Sequence, residues 1–200
     1  MKIYDISQEV FSSEVYPGDP APSRTLLSSI SNGHACNLTA FSMCAHNGTH
    51  IDAPYHFFDK GNTVEKIPLS KFVGYAFVAE HSGVLIAKDA ESILNKANQC
   101  LSESAKRILI KGTATVSAEA AKVFADANIH LIGNESQTVG PQTAPNQVHE
   151  ILLNSDVVLL EGIRLKDVPE GVYLLNCAPI LLSGCDGSPC RAILIDMTNI

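Results

Sequence analysis

No apolar run in the chain approaches the ~20 residues that cross a bilayer, so a membrane-spanning helix is not expected. Met1 to Ser13 has neither the basic flank nor the continuous apolar stretch of a signal peptide, and a cytoplasmic protein is therefore expected. Basic residues are scarce: 14 Lys+Arg against 21 Asp+Glu leave a net charge of -7 with no basic cluster. That lacks the electrostatic footprint of a nucleic-acid binder and points to a small molecule as the partner. None of the six cysteines forms a CxxC pair, and without a secretory segment all should stay reduced. Cys44, two residues before a histidine-rich run, is read as a small half-buried thiol and left out of the site. Repeats, low-complexity tracts and charge runs are also missing, so boundaries must be read from pattern and punctuation.

What is present describes one globular domain over residues 1–200, with 46% hydrophobic, 18% charged and 6% aromatic residues. A chain of this length buries roughly 70% of its unfolded surface, so neither disulfides nor a structural metal is needed to hold the core. Short strands are expected at Lys2–Ile6, Thr25–Ile30, Asn37–Met43 and Val73–Glu80, with Tyr16 to Pro20 as a turn. Ala90, Ile93, Leu94 and Ala97 recur at helical spacing within Asp89–Cys100. The rhythm then alternates: strand Arg107–Ile110, helix Ser117–Asn128 capped by Ser117, strand Ile129–Ile132, helix Gln147–Asn154, strand Asp156–Leu160. Strands Val172–Asn176 and Ala192–Asp196 close the chain, separated by the turn-rich Cys185 to Pro189. The fold class is α/β, a mixed sheet with helices packed on it.

Three of the seven histidines and an aspartate fall within eleven residues, His46-Asn47-Gly48-Thr49-His50-Ile51-Asp52-Ala53-Pro54-Tyr55-His56. Gly48 and Pro54 argue against a continuous helix here. On an extended path, positions 46, 50, 52 and 56 share one face, with Thr49 and Ile51 on the other. Ten residues of strand span roughly 33 Å, too far for one ion, so the chain must bend, and Gly48 and Ala53-Pro54 are where it can. Neutral imidazoles with a carboxylate are the ligand set of divalent zinc, manganese or iron. Pro54 could hold His56 so that it reaches in as an acid/base without becoming another ligand. Thr49 could orient a ligand or simply be a β-branched strand residue. His149, on an expected helix, and Glu161, where an apolar strand ends, could complete a second half-site or could face water.

The stretch His46 to His56 resembles, residue for residue, the HxGTHxDxPxH motif of the metal-dependent cyclase family, which includes bacterial-type kynurenine formamidases. The similarity extends to Tyr16-Pro17-Gly18-Asp19-Pro20, to His149 and Glu161 with their separation, and to Asp186-Gly187-Ser188-Pro189-Cys190-Arg191, nearly the whole chain. The resemblance implies that His46, His50 and Asp52 bind a first metal, that Asp52 and Glu161 bridge, and that His149 completes a second. It also implies that His56 is the acid/base. Two divalent ions are implied, zinc first and manganese as the alternative, in a swivelling β/β/α domain that forms a homo-oligomer, a dimer or tetramer.

The implied activity is dinuclear hydrolysis of a small amide, an aryl formamide or cyclic amide, by an amidohydrolase acting on non-peptide C–N bonds. Cyclisation, dehydration or lactone chemistry is the alternative, and a non-catalytic metal- or ligand-binding protein follows if His149 or Glu161 misses the His46 cluster. Glu135, Thr138 and Gly140 stand where many relatives carry an Asp/Ser/Asp constellation, which bears on the substrate. Arg164 is read as solvating a short loop in preference to binding a carboxylate. His34 and Glu135 are the fallback acids should His56 prove to be a ligand.

Overall fold

The computed structural model describes residues 1–197. Its main sheet takes strands from both ends of the chain: β1 (Lys2–Asp5), β4 (His50–Asp52), β5 (Val73–Glu80), β7 (Arg107–Lys111), β9 (Leu131–Asn134), β10 (Val158–Glu161), β11 (Gly171–Asn176), β12 (Gly187–Pro189) and β13 (Ile193–Asp196). Their order is β1-β13-β11-β5-β7-β9-β10-β4-β12. The β5-β7-β9-β10 block is parallel and the flanking pairs are antiparallel, which makes the sheet mixed as expected. Helices α1 (Ala87–Cys100), α2 (Ala118–Asp126) and α3 (Pro145–Asn154) form the crossovers between the parallel strands. Parallel neighbours need such a connection because a tight turn would reverse the chain.

Alternate residues of the central strands feed two cores. Ile108, Ile110, Ile132 and Leu159 pack on one side with Ile93 of α1, Phe124 of α2 and Leu152 of α3. Leu109, Leu131, Val158 and Leu160 pack on the other with Ile51 and Phe72. Burial on both faces explains why these strands read as continuous apolar runs. The Ser117 hydroxyl accepts from Ala120 N–H at 3.2 Å, the expected cap of α2. No helix among the described residues is long and apolar enough to cross a membrane.

Three features depart from the sequence reading. Cys185 to Pro189, expected as a turn, contributes β12, whose glycine and proline masked it; proline is tolerated there because β12 is an edge strand. A short parallel pair, β6 (Gly83–Leu85) with β8 (Ala114–Val116), was not anticipated. Residues Ser23–Ser28 (β2) and Leu38–Ser42 (β3), both expected as strands, form a separate two-stranded sheet outside the main one. Leu26, Leu27, Leu38 and Phe41 are exposed on it.

Candidate metal centre

β4 is three residues long and lies between β10 and β12, antiparallel to both. Its register sets Glu161 opposite His50, Leu159 and Gly187 opposite Asp52. His50, Asp52 and Glu161 therefore project from one face, the helix-bearing side on which Leu159 packs. α3 lies over that face and delivers His149, one residue beyond the core residue Val148. The bends fall where the sequence placed them: Gly48 has φ +69°, and a 3-10 turn at Pro54–His56 follows β4. His46 and His56 are thereby folded back beside the strand, their rings 4.2 Å apart.

The geometry brings all six predicted residues to one cavity of about 220 Å³. His46 Nδ1 lies 2.8 Å from Asp52 Oδ1, and His50 Nε2 lies 3.3 Å from the same oxygen. On the other side of Asp52, His149 Nε2 is 3.6 Å from Oδ2 and 3.2 Å from Glu161 Oε1. The candidate ligand atoms of Asp52, His149 and Glu161 lie within 4.8 Å of one another, as do those of His46, His50 and Asp52. Asp52 is common to both groups. His50, Asp52, His149 and Glu161 are buried, and the Glu161 carboxylate also accepts from Val139 N–H at 2.8 Å.

Buried carboxylates must be paired. Burial opposes ionisation of Asp52, but hydrogen bonds from His46 and His50 hold its pKa well below the usual range. Burial likewise opposes charge on His46, yet hydrogen bonds to Asp186 and Asp52 push its pKa up to about 11; Asp52 raises that of His50 against the same penalty. The carboxylates thus favour positive charge on the neighbouring imidazoles, which is the field a cation would meet. His50 Nδ1 is tied to the Gly48 carbonyl at 3.0 Å, leaving Nε2 toward the cluster. Such outer partners fix the tautomer of a ligand histidine. The donor set, three imidazoles and two carboxylates in two groups that share Asp52, fits the binding of a divalent metal.

Asp186 was not assigned a role from sequence. Its Oδ2 lies 2.9 Å from His46 Nε2 and 3.1 Å from His56 Nδ1, and these bonds keep its carboxyl well below the ordinary range. Only the Asp186 to Arg191 stretch hinted at it, because the pairing that delivers it, β12 with β4, is remote in sequence.

Other expectations are corrected. The Thr49 hydroxyl accepts from Gln8 N–H at 2.9 Å and donates to the Gly162 carbonyl at 2.8 Å, so it braces the backbone and orients no ligand. Arg164 serves the loop, as expected: it donates to the carbonyls of Glu135 and Ile163 and to Gln8 Oε1. Glu135 accepts from Gly112 and Leu165 N–H groups, a structural clamp. Thr138 and its neighbour Gln137 line the cavity, whereas Cys44 and His34 do not; Cys44 Sγ approaches Asp19, and His34 engages Ser29 in the turn after β2.

A family profile described as "Putative cyclase" matches residues 4–141, and the chain belongs to this family. That match stops short of His149, Glu161 and Asp186, but the relatives extend further. A kynurenine formamidase of Polaromonas naphthalenivorans is 34% identical over 207 residues, 99% of this chain and 92% of the relative. A protein of Bacillus stearothermophilus described as a predicted metal-dependent hydrolase superposes with a TM-score of 0.79 at 28% identity, covering 96% of this chain and 97% of that one. Isatin hydrolase A of Ralstonia solanacearum shares the fold, with a TM-score of 0.83 at 20% identity over 98% of this chain and 92% of that one.

Proposed function

We propose that the chain is a metal-dependent amidohydrolase that cleaves the non-peptide C–N bond of a small amide, an aryl formamide first and a cyclic amide second. The observation that carries this is the convergence of His149 and Glu161 on Asp52, opposite His46 and His50, within one cavity. A miss by either of those two residues would have favoured a non-catalytic reading, and both reach the cluster. The similarity to a kynurenine formamidase over nearly the full length supports the same chemistry.

With two ions, His46, His50 and Asp52 would hold the first, and Asp52, His149 and Glu161 the second. Two ions would carry +4, of which Asp52 and Glu161 together would offset half. Zinc is the first choice and manganese the alternative, since both accept nitrogen with oxygen donors. Bound cations supply Lewis acidity, polarising the substrate carbonyl and acidifying water. His56 handles the proton: with Nδ1 on Asp186, its Nε2 is the nitrogen left to accept a proton from water and return it to the departing amine. Phe57, stacked on His149 at 4.9 Å, and Tyr16 give the cavity aromatic walls suited to an aryl group. The Gln137 side-chain amide and the Thr138 hydroxyl on that wall have buried polar atoms without a hydrogen-bond partner among the described residues, so they offer contacts to a polar substrate. The exposed apolar residues on β2 and β3 support self-association of the chain into a dimer or tetramer, which sedimentation would measure.

The test is metal analysis of the purified protein together with turnover of a panel of aryl formamides, lactams and lactones. Hydrolysis of a formamide that is lost on chelation and restored by zinc or manganese is the expected result. Turnover confined to lactones or to ring closure would move the reading to the alternative chemistry, and a metal-loaded protein inert to every amide would overturn it.

A further inference from the structure

Asp186 sits outside the predicted ligand set, yet a single one of its oxygens contacts both a ligand histidine and the acid/base histidine. Its position is built in by the sheet. Gly187 pairs with Asp52, and the Asp186 carbonyl accepts from Ala53 N–H at 2.9 Å, so the residue is pinned beside the end of β4. Gly187 also lets the His46 ring approach: a Cβ there would lie 2.7 Å from His46 Cε1. Asp186 Oδ2 then lies 2.9 Å from His46 Nε2 and 3.1 Å from His56 Nδ1.

We infer that Asp186 is a positioning residue that sets the tautomers of His46 and His56 together, so that one carboxylate orients both a ligand nitrogen and the acid/base. An ionised carboxylate only accepts, so both contacted nitrogens must carry the hydrogen. His46 is held with a hydrogen on Nε2 toward Asp186, which leaves Nδ1, 2.8 Å from Asp52 Oδ1, as the nitrogen that would exchange its hydrogen for a cation. His56 is held with its proton on Nδ1 and its Nε2 lone pair left for proton transfer. This inference rests on the roles proposed above for His46 and His56.

The discriminating variant is Asp186→Asn, whose amide can turn its NH₂ toward a ring nitrogen and favour the wrong tautomer. Asp186 is partly exposed, and its contact with the strand is made by its backbone carbonyl to Ala53 N–H, which the variant keeps, so the variant should fold. Zinc affinity should fall about 10–100-fold, as for other partners of ligand histidines. With zinc saturating, kcat on an aryl formamide should still fall on the order of 10²-fold, with KM little changed. In a His56→Ala background the same substitution should cost zinc affinity and no further kcat. Long-range proton–nitrogen NMR of the zinc-loaded wild type should show the His56 proton on Nδ1, moving to Nε2 in Asp186→Asn.

An unchanged kcat at saturating zinc, or an equal kcat loss with and without His56, would overturn the inference. So would a wild-type His56 protonated on Nε2, or loss of an ion from both His56→Ala and Asp186→Asn, which would make the three residues a metal site. If the wild type hydrolyses no amide at all, the proposed function fails, while the NMR tautomers still decide this inference by themselves.

Discussion

Replacing Glu161 by glutamine removes one charge and almost no volume, which makes it the sharpest probe of the paired-metal arrangement. The side chain is 2% exposed and accepts from Val139 N–H, a bond that a glutamine oxygen preserves. Loss of its ionic contact with His149 at 3.2 Å should therefore cost the metal-free fold on the order of 1 kcal/mol, or about 2–4 °C in Tm for a chain of this size. Metal binding should suffer far more. Unit charges ~4 Å apart at an effective dielectric of ~20 interact by about 4 kcal/mol, close to three decades in affinity. A glutamine oxygen can still donate a lone pair, so a loss of at least about a hundredfold for one ion is expected, with the other retained. Chelator competition with metal counting by mass spectrometry reads this directly. Two ions held at wild-type affinity by Glu161→Gln would refute the placement of Glu161 in the site.

Three further outcomes follow from the same geometry. His50→Ala should lose most bound metal and at least about a hundredfold of activity while circular dichroism shows a folded chain, because His50 faces the oxygen of Asp52 that His46 also faces. His56→Ala should keep its metal content and lose about 10²–10⁴-fold in kcat; metal and activity disappearing together would make His56 a ligand. Gly187→Ala should fold but displace the His46 ring, since the added carbon meets both His46 Cε1 and the Ile51 carbonyl at 2.7 Å, and zinc titration should show weakened binding while Ser188→Ala leaves it close to normal.

The part of the site that was legible in the sequence is the part that is local. Parity along an extended chain put His50 and Asp52 on one face, and the two backbone breakers marked where His46 and His56 turn back toward it. Helical spacing and a polar cap revealed α1 and α2 because those signals also lie within a few residues. Strand pairing is different in kind. Nothing in residues 46–56 says that β4 will lie between β10 and β12, so Asp186 carried no visible role, and the glycine and proline of β12 read as a turn. Glu135 read as a residue bearing on the substrate for the same reason: the backbone N–H groups it clamps, those of Gly112 and Leu165, are distant in sequence.

The placement of β4 bears on how the protein comes into being. Both of its sheet neighbours are made much later by the ribosome, so the histidine-rich stretch leaves the tunnel as an unpaired segment and waits for them. Non-local pairing of this kind is slow, because a long loop must close before any contact rewards it. A chain interrupted at residue 141 would carry the entire His46 to His56 signature and neither strand that shapes it. It would be recognisable to a sequence comparison and chemically inert.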